Sequence, residues 1–233
     1  VDTWRLARLL ADGSVDSAFG SNGEQELVWF GETDDLNALA IDGNGDIVAA
    51  GRAFDPAVGS GLALAILDGV GQVLHQRFTK VVAGNADWCE DVLIQPDGRI
   101  VCVGLSRNFS AARMIAVRYE DDLTIDTSFG VDGVTLVDTT ADEMEARSGA
   151  LTASGQIVMG GWIERPVEGL NLAIVRLDAG GSVDTDFGDA GLVETQIVNE
   201  SSDLVTDLML VGTDLVVAAT SQDLGDFVVL RYD

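Results

Sequence analysis

Basic residues are scarce in this chain. Its 233 residues hold 13 Lys and Arg against 39 Asp and Glu, a formal net charge of −26. That imbalance argues against nucleic acid and anionic membrane surfaces as partners, because both would be repelled. It favours cationic partners, divalent ions or simple solubility. His75 is the sole histidine, and no G-x-S-x-G elbow accompanies it, so nucleophilic catalysis finds no support. No apolar run approaches 18 residues, so insertion into a membrane is not expected. The start "VDTWRLARLL" lacks the basic region and cleavage signature of a signal peptide, as an already processed chain also would. Proline is rare while aliphatic residues are plentiful, which excludes a disordered or low-complexity chain. The two cysteines do not make a disulfide framework. Cys89 and Cys102 fall in adjacent expected strands, but the hairpin register sets Cys102 opposite residues 92 to 93, so free buried thiols are expected.

What the chain has instead is repetition. The phrase "RLARLLADGSVDSAFG" returns as "RYEDDLTIDTSFG" and "RLDAGGSVDTDFG", and half of it as the final "FVVLRYD". A second phrase keeps the same beat: "DGNGDIVAAG", "QPDGRIVCVG", "TASGQIVMGG", "VGTDLVVAAT". Its strands open at Ile47, Ile100, Ile157 and Leu215, steps of 53, 57 and 58 residues. Each unit reads as four short β-branched runs bounded by Gly, Asp and Asn, with no helical period. In the second unit these runs are "CEDVLI", "RIVCVG", "MIAVRY" and "TIDTSFG". A repeat of this length suits a four-stranded propeller blade. The expectation is an all-β chain, with residues 1–233 forming one β-propeller domain of about four repeats of 52–58 residues.

The turn in "LLADGSV" places Gly13 where a left-handed residue closes a bulged hairpin, and Gly71 and Gly181 match it. Leu123 does not, so another turn form is expected there. That register sets Arg8 opposite Asp16, Arg118 opposite Asp126 and Arg176 opposite Asp184. In the remaining unit the equivalents are Ile66 and Leu74. Both charges vanish together, as a cross-strand ion pair predicts. The rival reading makes these arginines a ring of ligand contacts.

The segments "RYEDDLTIDTSFGVDG" and "LIQPDGRIVCVG" resemble the two signatures of the delta-60 repeat, a tandem repeat of bacterial surface and secreted proteins. The resemblance covers essentially the whole chain in about four copies. It implies propeller-like β architecture and extracellular display, and carries no catalytic residues. The chain departs from it at residues 69–78, where "DxSFG" is lost, and at residues 211–214, where the turn is shorter. Four blades are expected, with the termini sharing one closing blade in which residues 14–19 supply the outermost strand. The arithmetic leaves one strand over, since residues 4–10 and 227–233 are the same element. The alternatives are an irregular five-bladed ring, or self-association by exchange of terminal strands.

Candidate chemistry is thin. "DGNGD" alternates Asp42, Asn44 and Asp46 like the opening of a calcium loop, but Ile47 and Ala53 stand where that loop needs Gly and Glu. Calcium is therefore a weak candidate, and a polar hairpin turn the plainer reading. The clusters "ETDD", "EDD" and "DEMEA" are expected to crowd one rim. Four tryptophans read as packing residues rather than sugar platforms. Asn108 and Asn199 head glycosylation sequons. The leading expectation is a non-enzymatic binding, display or scaffold module of an exported bacterial protein, with a protein or carbohydrate partner. The alternatives are a hydrolase or lyase with carboxylates or a metal in a central channel, and a subunit linked by strand exchange.

Overall fold

The computed structural model describes residues 3–30, 33–138, 143–166, 168–198, 202–222 and 225–233. Among these residues every regular element is a β-strand. Three sheets have four antiparallel strands in chain order. The first holds β3 (Asp35–Ile41), β4 (Ile47–Asp55), β5 (Gly59–Leu67) and β6 (Val73–Thr79). The second holds β7 (Ala86–Ile94), β8 (Ile100–Arg107), β9 (Ala112–Tyr119) and β10 (Val134–Leu136). The third holds β11 (Met144–Leu151), β12 (Ile157–Arg165), β13 (Gly169–Leu177) and β14 (Leu192–Thr195). Before them lies a two-stranded sheet, β1 (Trp4–Ala7) with β2 (Glu24–Leu27). After them comes a three-stranded one, β15 (Asp203–Val211), β16 (Asp214–Ser221) and β17 (Asp226–Tyr232).

The sheets stack through their first strands, as the blades of a propeller do. β7 packs on β3, β4 and β5; β11 on β7, β8 and β9; β15 on β11, β12 and β13. Each four-stranded sheet is apolar on both faces, because each is sandwiched between neighbours. Val48, Ala50, Leu62 and Leu64 of the first sheet meet Cys89, Val92 and Ile115 of the second. On the other face Ala49, Ala53, Ala63 and Ala65 leave room for Trp4, Phe19 and Leu27. Such small-against-large filling keeps the interior dense.

Every first strand carries a β-bulge, at Asn37, Glu90, Arg147 and Thr206. In three sheets a glycine lies beside it on the second strand: a Cβ on Gly51, Gly104 or Gly161 would sit 2.0, 2.0 or 1.7 Å from the carbonyl oxygen of Asp35, Trp88 or Glu145. This is the terminal glycine of the repeated "AAG", "CVG" and "MGG". Ala219 takes its place in the last sheet, opposite Val205.

Several sequence expectations are corrected. "TIDTSFG" is no strand: residues 124–130 make a one-residue bridge and a turn, and the fourth strand is β10. The cause is a run of left-handed residues, Gly130, Asp132 and Gly133, which folds the chain back before it can extend. Residues 14–19 likewise form no outer strand, and β1 and β17 lie in separate sheets rather than in one shared sheet. The first full sheet lacks this excursion altogether, since its turn leads directly into β6; a β-bulge at Leu74, between the Leu67–Val73 and Ile66–His75 pairs, sets His75 rather than Leu74 opposite Ile66. Leu123 adopts the same turn as its glycine counterparts, at φ 65, with Leu123 N donating to Glu120 O as Gly13 N does to Leu10 O.

The cysteines are bonded to each other. Val92 faces Cys102 as expected, but the bulge at Glu90 shortens the path to Cys89 and brings the two Cα atoms to 5.7 Å, within disulfide reach.

Candidate functional site

The repeated arginine phrase builds a clasp. Arg8, Arg118 and Arg176 each donate from Nε to Oδ2 of Asp16, Asp126 and Asp184, at 2.8, 2.7 and 2.8 Å. Each guanidinium also lies over the ring of the phrase's own phenylalanine, Phe19, Phe129 or Phe187, 5.1, 4.6 and 4.5 Å from its centroid. The clasp reaches forward to the next sheet as well. Arg118 Nη1 donates to Ala179 O at 2.7 Å and Gly130 N to Gly180 O at 2.8 Å, while Arg8 contacts Gly69 O and Gly20 N donates to Val70 O at 2.8 Å. A Cβ on Gly71 or Gly181 would strike the Phe19 or Phe129 ring, at 2.9 and 2.7 Å. Leu123 fills that place where the preceding sheet has no clasp, and packs in one cluster with Ile66. The guanidiniums are spent on these contacts, so the geometry is that of a fastening between sheets.

Asp42, Asn44 and Asp46 sit in the β3–β4 turn. Asp42 Oδ1 accepts from Asn44 N and Asp46 N, both at 2.8 Å. Asp68 and Asp178 repeat this pattern in other turns. Among the described residues no three His, Cys, Asp or Glu side chains come together in a group that could hold a metal ion. The acidic clusters do not share one rim. Asp35 and Glu145 stand at the starts of β3 and β11, whereas residues 120–122 follow the end of β9, at the opposite edge of the sheet. His75 is an exposed strand residue. The Asn199 sequon lies outside the described residues.

A different group converges instead. The four bulge residues Asn37, Glu90, Arg147 and Thr206 line one cavity of about 540 Å³, with Leu36, Leu204, Val205 and Thr220. Arg147 Nη2 is 3.0 Å from Glu145 Oε2, and its Nη1 is 3.7 Å from Glu90 Oε2. Asn37 Nδ2 donates to Cys89 O at 2.9 Å and Thr206 Oγ1 to Ala218 O at 3.1 Å. Arg52 rests on the Trp88 ring at 4.5 Å and pairs with Asp35. Burial pushes the Glu90 carboxyl above the ordinary carboxylate range, against the opposing pull of Arg147 and Arg52.

One residue further along each strand lies a second layer. Ser148 Oγ is 2.9 Å from Asp207 Oδ1 and 3.3 Å from Asp91 Oδ2, and Gly149 N donates to Asp91 Oδ2 at 2.9 Å. Burial raises the Asp91 carboxyl too, with the nearby Asp207 charge adding to it. The cavity thus presents an amide, a hydroxyl, a guanidinium and a carboxyl side by side, suited to a polar ligand that both donates and accepts hydrogen bonds. Sequence reasoning missed this group because its members share no residue type. The glycine beside three of the four bulges was the signal available.

The chain is similar to a family described as a domain of unknown function (DUF5122) beta-propeller, matched over residues 1–19, 95–129 and 152–187. Those stretches carry the phrases that recur. Among solved structures, 83% of this chain aligns with 63% of an alpha-L-arabinofuranosidase from Clostridium thermocellum ATCC 27405, at 10% identity and a TM-score of 0.45. An endo-arabinase from Bacteroides thetaiotaomicron VPI-5482 aligns over 91% of this chain and 82% of its own, at 11% identity and the same TM-score. No curated protein matches the chain. Likenesses this distant say nothing of what it binds.

Proposed function

We propose that the chain is a non-enzymatic binding and display module of an exported bacterial protein, built from delta-60-type repeats. Its ligand is a neutral polyhydroxylated molecule, a carbohydrate, held at the mouth of the cavity between the first strands. The observation that carries this reading is the bulge. One residue of each first strand is released from ladder pairing and turned to the same cavity, and these four residues differ in type while the surrounding scaffold repeats. Export is supported by the Cys89–Cys102 disulfide, a bond kept in oxidising compartments. The ring has five positions, with β1–β2 as an incomplete blade between the last sheet and the first.

The test is an array of neutral oligosaccharides, followed by calorimetry on any sugar retained. Arg147→Ala and Glu90→Gln should each weaken binding roughly tenfold, with the melting temperature held as a control for folding. Retained sugars that bind both variants unchanged would sink the assignment. A carboxylate-based hydrolase is the second reading, favoured by the place of Glu90 in the cavity and the burial that raises its carboxyl. Turnover of aryl glycosides that is lost in Glu90→Gln would replace the first reading with this one.

A further inference from the structure

Two places before each bulge the first strands carry Asp35, Trp88, Glu145 and Leu204. Three of the four hold an arginine. Asp35 accepts from Arg52 Nε at 2.5 Å, and Arg52 lies over the Trp88 ring. Glu145 Oε2 accepts from Arg147 Nη2 at 3.0 Å. Its Oε1 makes no hydrogen bond among the described residues and lies 3.4 Å from Arg107 Nη1, while Arg107 Nη2 donates to Glu143 Oε2 at 2.9 Å. Glu145 is thus a carboxyl group only 2% exposed, set between two guanidiniums and away from the residues that line the cavity. On the cavity side Arg147 stops short. Its Nη1 stands 3.7 Å from Glu90 Oε2, too far for a hydrogen bond. A donor and an acceptor so spaced leave room for one oxygen between them, within about 3 Å of both. A ligand hydroxyl suits that gap, because it can accept from Nη1 and donate to Glu90.

From this geometry we infer that Glu145 is a positioning residue of the cavity: it holds the Arg147 guanidinium back from Glu90 and keeps that pair open for a ligand hydroxyl. The inference deepens the carbohydrate reading and rests on it for the ligand. Without the Glu145 carboxylate, Glu90 becomes the nearest acceptor for Arg147, and a small swing of one side chain brings Nη1 onto it. The pair then satisfies itself, and an entering hydroxyl has to break a charge-assisted hydrogen bond. The other charges around Glu90 are placed to leave this balance to Glu145. Arg52 of β4, the second cation that acts on Glu90, is pinned by Asp35 of β3 and the Trp88 ring. Arg107 of β8 has Glu143 as its closer partner. Asp91 and Asp207 lie one layer behind, on Ser148.

Carbon-13 NMR of the Glu90 and Glu145 side-chain carboxyls tests the holding in the unliganded chain, whether or not any sugar is retained. Arg147→Met keeps the apolar stem and removes the charge. It should raise the titration of Glu145 further than that of Glu90, since Glu145 is the closer partner. Glu145→Gln should lower the titration of Glu90 by about one pH unit, as Arg147 closes on it. In the double variant with Arg147→Met most of that fall should vanish. A fall of the same size there would be the loss of a neighbouring negative charge and overturns the inference, as does a Glu90 that titrates unchanged. A larger response to Arg147→Met at Glu90 than at Glu145 overturns it too, and this arm stands even where Glu145→Gln does not fold. Any sugar that the array retains should bind Glu145→Gln roughly tenfold more weakly. Binding unchanged in Glu145→Gln alone would overturn the inference and leave the carbohydrate reading in place. That reading falls only where Arg147→Ala and Glu90→Gln bind as before.

Discussion

Arg118 and Asp126 face each other in the outer part of the second sheet, Nε to Oδ2 at 2.7 Å, with their side chains only 5% and 6% exposed. The same pair at Arg8 and Asp16 is more open, at 35% and 18%. Identical residues at an identical spacing are thus worth different amounts. Arg118→Ala strands a buried carboxylate and should cost about 3–5 kcal/mol. Arg8→Ala should cost markedly less, as more exposed pairs do. Urea unfolding of the two variants would separate them, and equal losses would contradict the burial argument.

Asp126 also sets an acid limit. Burial alone would raise its carboxyl, but the Ser128 hydroxyl and amide together with Arg118 hold it at about 2, against an ordinary 3.8. A folded-state value below the unfolded one stabilises the fold above pH 3.8. That contribution is lost as the pH falls from 3.8 towards 2. Asp126→Asn should therefore flatten stability across that window and lower it at neutral pH, as read from melting temperatures in a pH series.

Glu90 has the opposite sign. Its carboxyl is raised by burial, so the folded state binds a proton more tightly than the unfolded chain, and stability from this group grows as the pH falls. Glu90→Gln should be better tolerated at pH 7 than at pH 4. Denaturant midpoints at the two pH values give the comparison, and the reverse order would show that Arg147 outweighs burial.

The disulfide between Cys89 and Cys102 closes a separation of 13 residues. For such a loop the constraint on the unfolded chain is about 3 kcal/mol. Unfolding of the wild type with reductant should match that of Cys89→Ala without it, both less stable by this amount. A thiol-reactive probe should label the oxidised chain only if the bond is absent.

Gly13 and Gly181 share one turn and a left-handed φ of 84° and 90°, yet only Gly181 is crowded, by the Phe129 ring at 2.7 Å. Substitution by Ala at Gly13 meets backbone strain alone, about 1 kcal/mol. At Gly181 the clash adds to it, and the Phe129 clasp must shift. Gly181→Ala should lower the melting temperature further than Gly13→Ala, and it should unlock the contact between the second and third sheets first.

The second strands were legible in the sequence because a β-branched run follows a turn of fixed form, so Ile47, Ile100 and Ile157 each open a strand where the period puts them, and Leu215 is the second residue of a strand that Asp214 opens. The fourth strands were not. "DTSFG" looks like an extended end, but Phe129 is drawn under Arg118, and left-handed residues turn the chain back. Register explains the cysteines too: counting from the turn finds Val92 opposite Cys102 but is blind to the bulge that lies before it. The cavity was hidden for the same reason. A bulge leaves no mark on the residue it frees, and only Gly51, Gly104 and Gly161 record its place.

That bulge divides the labour of each repeat. Residues on either side of it are committed, to the ladder, to the neighbouring sheet or to the fastening beyond. The freed residue is out of the backbone ladder and held only through its side chain, so Asn37, Glu90, Arg147 and Thr206 differ in type while the frame around them is copied. A chain built this way can change the lining of its cavity one strand at a time, keeping its frame untouched.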